Sequence, residues 1–147
     1  PLEDISASNN SVKAIMDAVS GDMAVLVVIE GFDFKKALMQ KHFNEQYMES
    51  DKYPDATFEG RIEGFDLEAL GGEKKTYPVR GTLSIHGRQN ELKATTELFV
   101  VNNIIHGKTE FMVRLDDYDI RIPRLFIKNI AESVRVNVSM KLSKNNE

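Results

Sequence analysis

Three histidines and two runs of mixed charge are the residues of this chain whose types could do chemistry. His42, His86 and His106 carry the imidazoles of the chain, but none stands in an H-x-x-x-H or H-E-x-x-H spacing that would bring two of them to one metal. No metal site is expected. His86 falls on the outward face of a strand pattern and His106 in or beside a turn, so both are expected in solvent. His42 lies in a helical pattern, as an anchor of that helix or as a polar group at a cavity mouth. The run "LDDYDIRIPRLFIK" carries Asp116, Asp117 and Asp119 ahead of Arg121, Arg124 and Lys128. Its guanidinium groups could receive a phosphate headgroup bidentately. Alternatively, these acids and bases neutralise one another on a solvated loop. Glu45, Glu49, Asp51 and Asp55 lack the ordered ligand spacing of a calcium loop and read as a solvated acidic face. With no G-x-S-x-G, P-loop or G-x-G-x-x-G, the chain shows no catalytic motif and implies no cofactor.

The elements that would position these residues are bounded by composition. A chain of 147 residues, 41% hydrophobic and 29% charged, can bury a real core and is expected to form one domain over residues 1–147, with 143–147 a frayed polar tail. The net charge of -4 argues against nucleic acid as partner, since tracking phosphates needs clustered Lys and Arg. The absence of cysteine excludes disulfides and thiolate sites. The longest apolar run, Met23 to Ile29, is strand-sized and far short of a membrane span. Because the chain opens on proline, its start is expected to be trimmed, and a signal peptide could have gone with it.

Period-two alternation dominates the rest. Ala56, Phe58, Gly60, Ile62 and Gly64 share one face, and Val79, Gly81, Leu83 and Ile85 another. Leu92, Ala94, Thr96, Leu98 and Val100 follow, then Phe111, Val113 and Leu115, and finally Val134, Val136, Val138, Met140 and Leu142. "HGRQN" and Asn102-Asn103 supply turn residues that tolerate positive φ, as short hairpin loops require. With Leu2 to Ala7, Val12 to Met16 and Met23 to Ile29, the pattern predicts about eight strands in an all-β, antiparallel barrel or sandwich. Ala24, Leu26 and Val28 make the outer side of one strand apolar, which suggests a cover from the helix or from a second copy in a homodimer.

One stretch breaks the hairpin rhythm. Phe34 to Tyr47 carries an apolar stripe at helical spacing, with Met39, Phe43 and Tyr47 recurring at i+4. Tyr53-Pro54 should end that segment, because the residue before a proline avoids the α region. The whole joint, "HFNEQYMESDKYPDATFEG" from His42 to Gly60, then turns into a strand.

This joint, within "FDFKKALMQKHFNEQYMESDKYPDATFEG" (Phe34 to Gly60), resembles the YceI-like lipid-binding family, which similarly has a strand, a short helix with a histidine, and a "yP-x-hydrophobic-Phe" start to the next strand. "GTLSIHG", Gly81 to Gly87, is similar to the family's "G-x-L-T-I-x-G", with Ser84 in place of the usual threonine. The resemblance spans roughly Ala24 to Leu142. It departs where relatives often carry "R-x-D/H-F-G", since this chain has "RLDDYDIRIP". The resemblance implies a lipocalin-like antiparallel β-barrel with one short inserted α-helix, an elongated apolar cavity, a polyisoprenoid or similar long-chain lipid as ligand, and a bacterial, periplasmic or secreted setting.

On the pattern alone, the inward glycines read as strand bends; with the resemblance, they read as room for a ligand. The expected cavity lining is Phe58, Gly60, Ile62, Val79, Gly81, Leu83, Ile85, Ala94, Leu98, Phe111, Val113, Val136 and Val138, with Thr96 the one polar inward residue. Leu38, Met39, His42, Phe43 and Tyr47 form the expected lid helix, and Arg121 and Arg124 the headgroup contacts. The function expected is binding and transport or sequestration of a long apolar amphiphile, without catalysis. A solid-cored protein-interaction module, and an enzyme using His42 with a carboxylate on a small apolar substrate, are the alternatives.

Overall fold

The computed structural model describes residues 5–122 and 132–144. Two antiparallel sheets are present among them. The smaller pairs β1 (Ala7–Asn9) with β4 (Phe32–Phe34); the larger runs in the order β2 (Val12–Met16), β3 (Asp22–Val28), β5 (Asp55–Ile62), β6 (Lys75–Ile85), β7 (Arg88–Val101), β8 (Ile104–Arg114) and β9 (Ser133–Leu142). The seven strands curl into a half-barrel, and its end strands β2 and β9 touch without a hydrogen-bonded ladder among the described residues. Of the first strand expected from the alternation, Leu2 to Ala7, residues 5–7 are described, and Ala7 does not join this sheet. Ala7–Asn9 pairs instead with Phe32–Phe34, in the register Ala7 to Phe34, and residues 1–4 lie outside the described residues.

Alternation produces this architecture because successive side chains of a strand point to opposite faces. The register sets Phe58 beside Leu83 and Val25, Val79 beside Ala94, Thr96 beside Thr109, and Phe111 beside Val136, so the apolar rows meet on the concave side. Two-residue turns close the β6–β7 and β7–β8 hairpins. His86 and Gly87 have φ of 54° and 74°, and Asn102 and Asn103 have 53° and 65°. Positive φ at both central positions is what the favoured hairpin turns need, and it matches their twist to that of the strands. On the convex side of β3, Ala24 and Leu26 are half-buried, while Val28 and the neighbouring Ile15 are exposed.

The helical joint is shorter and less regular than the stripe predicts. Helix α1 covers Ala37–His42, because Phe34 is held in β4 and Lys36 is still extended. It continues as a π-helical turn, Phe43–Tyr47, in which the Met48 N–H donates to the Phe43 carbonyl at 2.9 Å. Phe43 packs edge-on against Phe32 and tilted against Phe34, with centroids 5.4 and 4.8 Å apart, which fastens the turn to the small sheet. Glu49 then takes a left-handed conformation, φ 49°, and its carbonyl accepts from the N–H groups of Lys52 and Tyr53. The Ser50 hydroxyl donates to Glu30, and the Pro54 carbonyl accepts from the Ile29 N–H, so the joint is tied to the end of β3 before β5 begins.

Candidate functional site

The concave face holds a cavity of about 230 Å³. That exceeds the roughly 150 Å³ at which an apolar void is known to stay dry and to admit a small hydrocarbon. Its wall comes from all seven strands except β2, and from the joint. Met23, Val25 and Val27 line it from β3, Ala56, Phe58 and Ile62 from β5, Val79, Leu83 and Ile85 from β6, Leu92 and Ala94 from β7, Phe111 and Val113 from β8, and Val134, Val136, Val138 and Met140 from β9. Ile29, Phe32, Phe43, Met48, Leu115 and Ile120 gather at the end where the joint crosses. No charged side chain among the described residues lines it. Its polar members are threonines, and that of Thr96, 1% exposed, is occupied by donation to the Lys108 carbonyl at 3.2 Å.

Three residues expected in the wall lie elsewhere. Gly60 and Gly81 are register partners, and the room above them is taken first by backbone carbonyl oxygens across the strand pair, of Arg80 at Gly60 and of Glu59 at Gly81, and then by the ring of Phe58. The Phe58 Cζ lies 2.6 Å from where a Cβ on Gly60 would stand, and 2.7 Å from that point on Gly81. These glycines seat an aromatic ring instead of leaving space for a ligand. Leu98 has no exposed surface and sits one inward position beyond Thr96, against Gly107, as packed floor beneath the cavity.

Of the expected lid residues, only Phe43 reaches the cavity. Met39 packs on the core and Tyr47 is buried behind the wall, where burial pushes its phenol above the ordinary range. His42 is half-buried, with its ring 6.3 Å from that of Tyr47, so it anchors the helix and does not face the cavity. Leu38 is 65% exposed, because α1 turns that side outward. Closure at this end comes instead from the π-helical turn and from Met48, whose neighbours in the joint carry no apolar periodicity to announce it.

The charged loop follows the neutralising alternative where it is described. Arg121 is 88% exposed and lies 3.5 Å from Asp119, turned away from the cavity; Arg124 lies outside the described residues. No group of three or more His, Asp or Glu placed to hold a metal occurs among the described residues.

His86 is the largest departure from the reading of the sequence. Its side chain is 8% exposed, not solvated. Nδ1 lies 3.0 Å from the Tyr118 carbonyl oxygen, Nε2 2.6 Å from Glu49 Oε2, and the ring of Tyr53 stands edge-on at 4.8 Å. Glu49 is correspondingly no part of a free acidic face. The residue stands in the β6–β7 turn and not on a strand face, and the joint and the 3-10 turn Leu115–Tyr118 fold over it. His106 lies within β8, not in a turn, and stacks on Phe99 with centroids 4.9 Å apart.

A family model described as YceI-like domain matches residues 3–142. Among solved structures, the YceI protein of Campylobacter jejuni is similar with a TM-score of 0.78 at 16% identity, over 99% of this chain and 88% of that one. BcnA of Burkholderia cenocepacia is similar with a TM-score of 0.73 at 16% identity, over 90% and 83%. A polyisoprenoid binding domain from Saccharophagus degradans, implicated in plant cell wall breakdown, is similar with a TM-score of 0.78 at 14% identity, over 88% and 80%. No curated protein matched the chain.

Proposed function

The chain belongs to the family of YceI-like domains, and on that footing we infer that it binds a long-chain apolar amphiphile, a polyisoprenoid or similar lipid, in the cavity of the half-barrel. Its role is that of a carrier or sequestering protein and not of an enzyme. The observation that carries this reading is a continuous apolar wall in which no side chain among the described residues is charged. Such a site recognises length and shape, because each methylene moved out of water contributes about 0.8 kcal/mol while no buried ionic partner fixes a headgroup. Part of that gain offsets the cost of association. The polar end of the ligand stays outside. Family membership also supports a bacterial, periplasmic or secreted setting, and no helix among the described residues is long and apolar enough to cross a membrane.

Native mass spectrometry of the purified protein, followed by solvent extraction, tests the reading. A co-purified lipid of one or a few chain lengths is the expected result. A ligand-free mass, together with no uptake of polyprenol or of the neutral fluorophore N-phenyl-1-naphthylamine, would refute it. The exposed Ile15 and Val28 beside Leu26 on the convex face favour a second reading, association of two copies through that face. A hydrodynamic mass near twice 16.6 kDa is its test.

A further inference from the structure

We propose that His86 and Glu49 share one proton to keep the joint closed over the cavity, so that loss of this proton opens that end. The inference rests on the cavity being the binding site, and it assigns to that site a proton-dependent gate.

The two ring nitrogens of His86 bond to different segments of the chain. Nδ1 faces a backbone carbonyl and Nε2 faces a carboxylate, at 3.0 and 2.6 Å. Both partners are acceptors, so a neutral imidazole beside an ionised Glu49 can satisfy one of them and sets a lone pair against a lone pair at the other. The arrangement closes when the pair holds one more proton, as imidazolium against carboxylate, or as a neutral ring donating from Nδ1 while protonated Glu49 donates to Nε2. Water cannot substitute freely at the ring, 8% exposed and covered by Tyr53 and by the two segments it bonds, whereas the Glu49 side chain, 40% exposed, can turn its carboxylate to solvent once the contact is lost.

Its place in the fold turns this bond pair into a gate. Glu49, His86 and Tyr118 belong to three separate segments, and Met48, Ile85 and Ile120, each within two residues of one of them, line the same end of the cavity. One imidazole thus holds together the joint, the β6–β7 turn and the 3-10 turn. Glu49 sits in a left-handed conformation that a residue with a side chain adopts against its preference, so the joint can relax once the contact is lost. Other charges around the latch are Lys52, 3.9 Å from Glu49 Oε1, the carboxylates of Asp117 and Asp119, and Arg88 and Arg121, which lie 3.7 and 3.5 Å from Asp119. Among the described residues, the phenols on residues that touch the ring are those of Tyr53 and Tyr118. The direction is therefore closed at lower pH and open as pH rises through loss of the shared proton.

Amide hydrogen exchange of the full chain, without ligand and corrected for intrinsic rates, reads the gate between about pH 6 and about pH 9. Opening of residues 48–53 and 118–120 is expected to increase about tenfold or more across that range with a one-proton midpoint. Glu49→Gln offers an amide N–H to a neutral ring, so its opening should be slow and independent of pH, whereas His86→Ala should be open throughout. An opening of the wild type that ignores pH, or a Glu49→Gln variant that keeps the wild-type pH profile, would overturn the proposal. Release of N-phenyl-1-naphthylamine, followed in parallel, separates the two readings. A gate that responds to pH in a protein that takes up no such probe leaves the latch standing and refutes the cavity as binding site.

Discussion

The ring of Phe58 rests on the backbone of Gly81, its Cζ 2.7 Å from where a Cβ on that glycine would stand. Two cross-strand glycines, Gly60 and Gly81, make a seat that no other residue type leaves open, and the seated ring is what narrows the cavity beside it. Gly81→Ala is expected to lower stability by about 1–3 kcal/mol, the usual cost of forcing atoms into a packed site. Denaturant unfolding measures it. Most of the loss should persist when Phe58→Leu is introduced with it, because the new methyl group meets the backbone, at the Glu59 carbonyl oxygen and the Gly60 Cα, more closely than it meets the ring. An unchanged midpoint in the single variant would show that the seat is looser than the contact implies.

Filling the cavity separates binding from folding. Ala94 projects into the void from the middle of β7 and is not fully buried. Ala94→Phe should therefore occupy space that is empty, with a melting temperature at or above that of the parent, and weaken N-phenyl-1-naphthylamine binding by about tenfold, since roughly two lost methylene contacts suffice for that factor. Unaltered affinity would place the probe elsewhere on the surface.

The strands from β5 to β9 and the turns at His86-Gly87 and Asn102-Asn103 were legible because alternation and positive-φ turn residues are local signals, whereas the register between strands was not read from the sequence. Side-chain direction followed from them, which is why Leu83, Phe111 and Val136 face the cavity as alternation predicts. What alternation cannot tell is how much of the space above a small residue a neighbour fills, and so Gly60 and Gly81 looked like room when they are the seat of Phe58. Nor does it tell what folds over the outer face. His86 read as solvated because its partners, Glu49 and the Tyr118 carbonyl, come from segments 37 and 32 residues away, and no periodicity links them. The joint was visible as a break in rhythm, but its π-helical turn has no compositional signature, so the helix stripe placed Leu38 on a lid it does not form.

Alkaline titration gives a prediction with a defined sign. Burial holds the phenols of Tyr47 and Tyr118 above the ordinary value of 10.0, and for Tyr118 the nearby Asp117 adds to the effect. Below that value both folded and unfolded chains keep these protons, and nothing changes. Above it the unfolded chain releases protons that the folded chain retains, so stability must fall as pH rises from about 10. Absorbance at 295 nm should show a late-ionising fraction that joins the main transition on unfolding. Replacing both residues with phenylalanine should remove that late fraction and lessen the alkaline loss of stability. A single transition at the ordinary value in the folded protein would contradict the burial of both rings.

Thr96 decides whether the cavity offers a ligand any polar handle. It is the buried polar residue on the cavity wall, and its hydroxyl already donates to the Lys108 carbonyl at 3.2 Å, across the β7–β8 pair. A hydroxyl so engaged has only acceptor capacity left, and a hydrocarbon chain gives it nothing to accept from. Thr96→Val keeps the shape and removes the hydroxyl. The expected cost is a modest loss of stability, about 0.5–1.5 kcal/mol, the net worth of one neutral hydrogen bond. Affinity for a polyprenol or for N-phenyl-1-naphthylamine should stay within about twofold of the parent, or improve, because the wall becomes wholly apolar at that point. A tenfold loss of affinity with stability unchanged would mean that the hydroxyl turns inward to a polar group of the ligand. The ligand would then enter headgroup first, reversing the orientation that the uncharged wall supports.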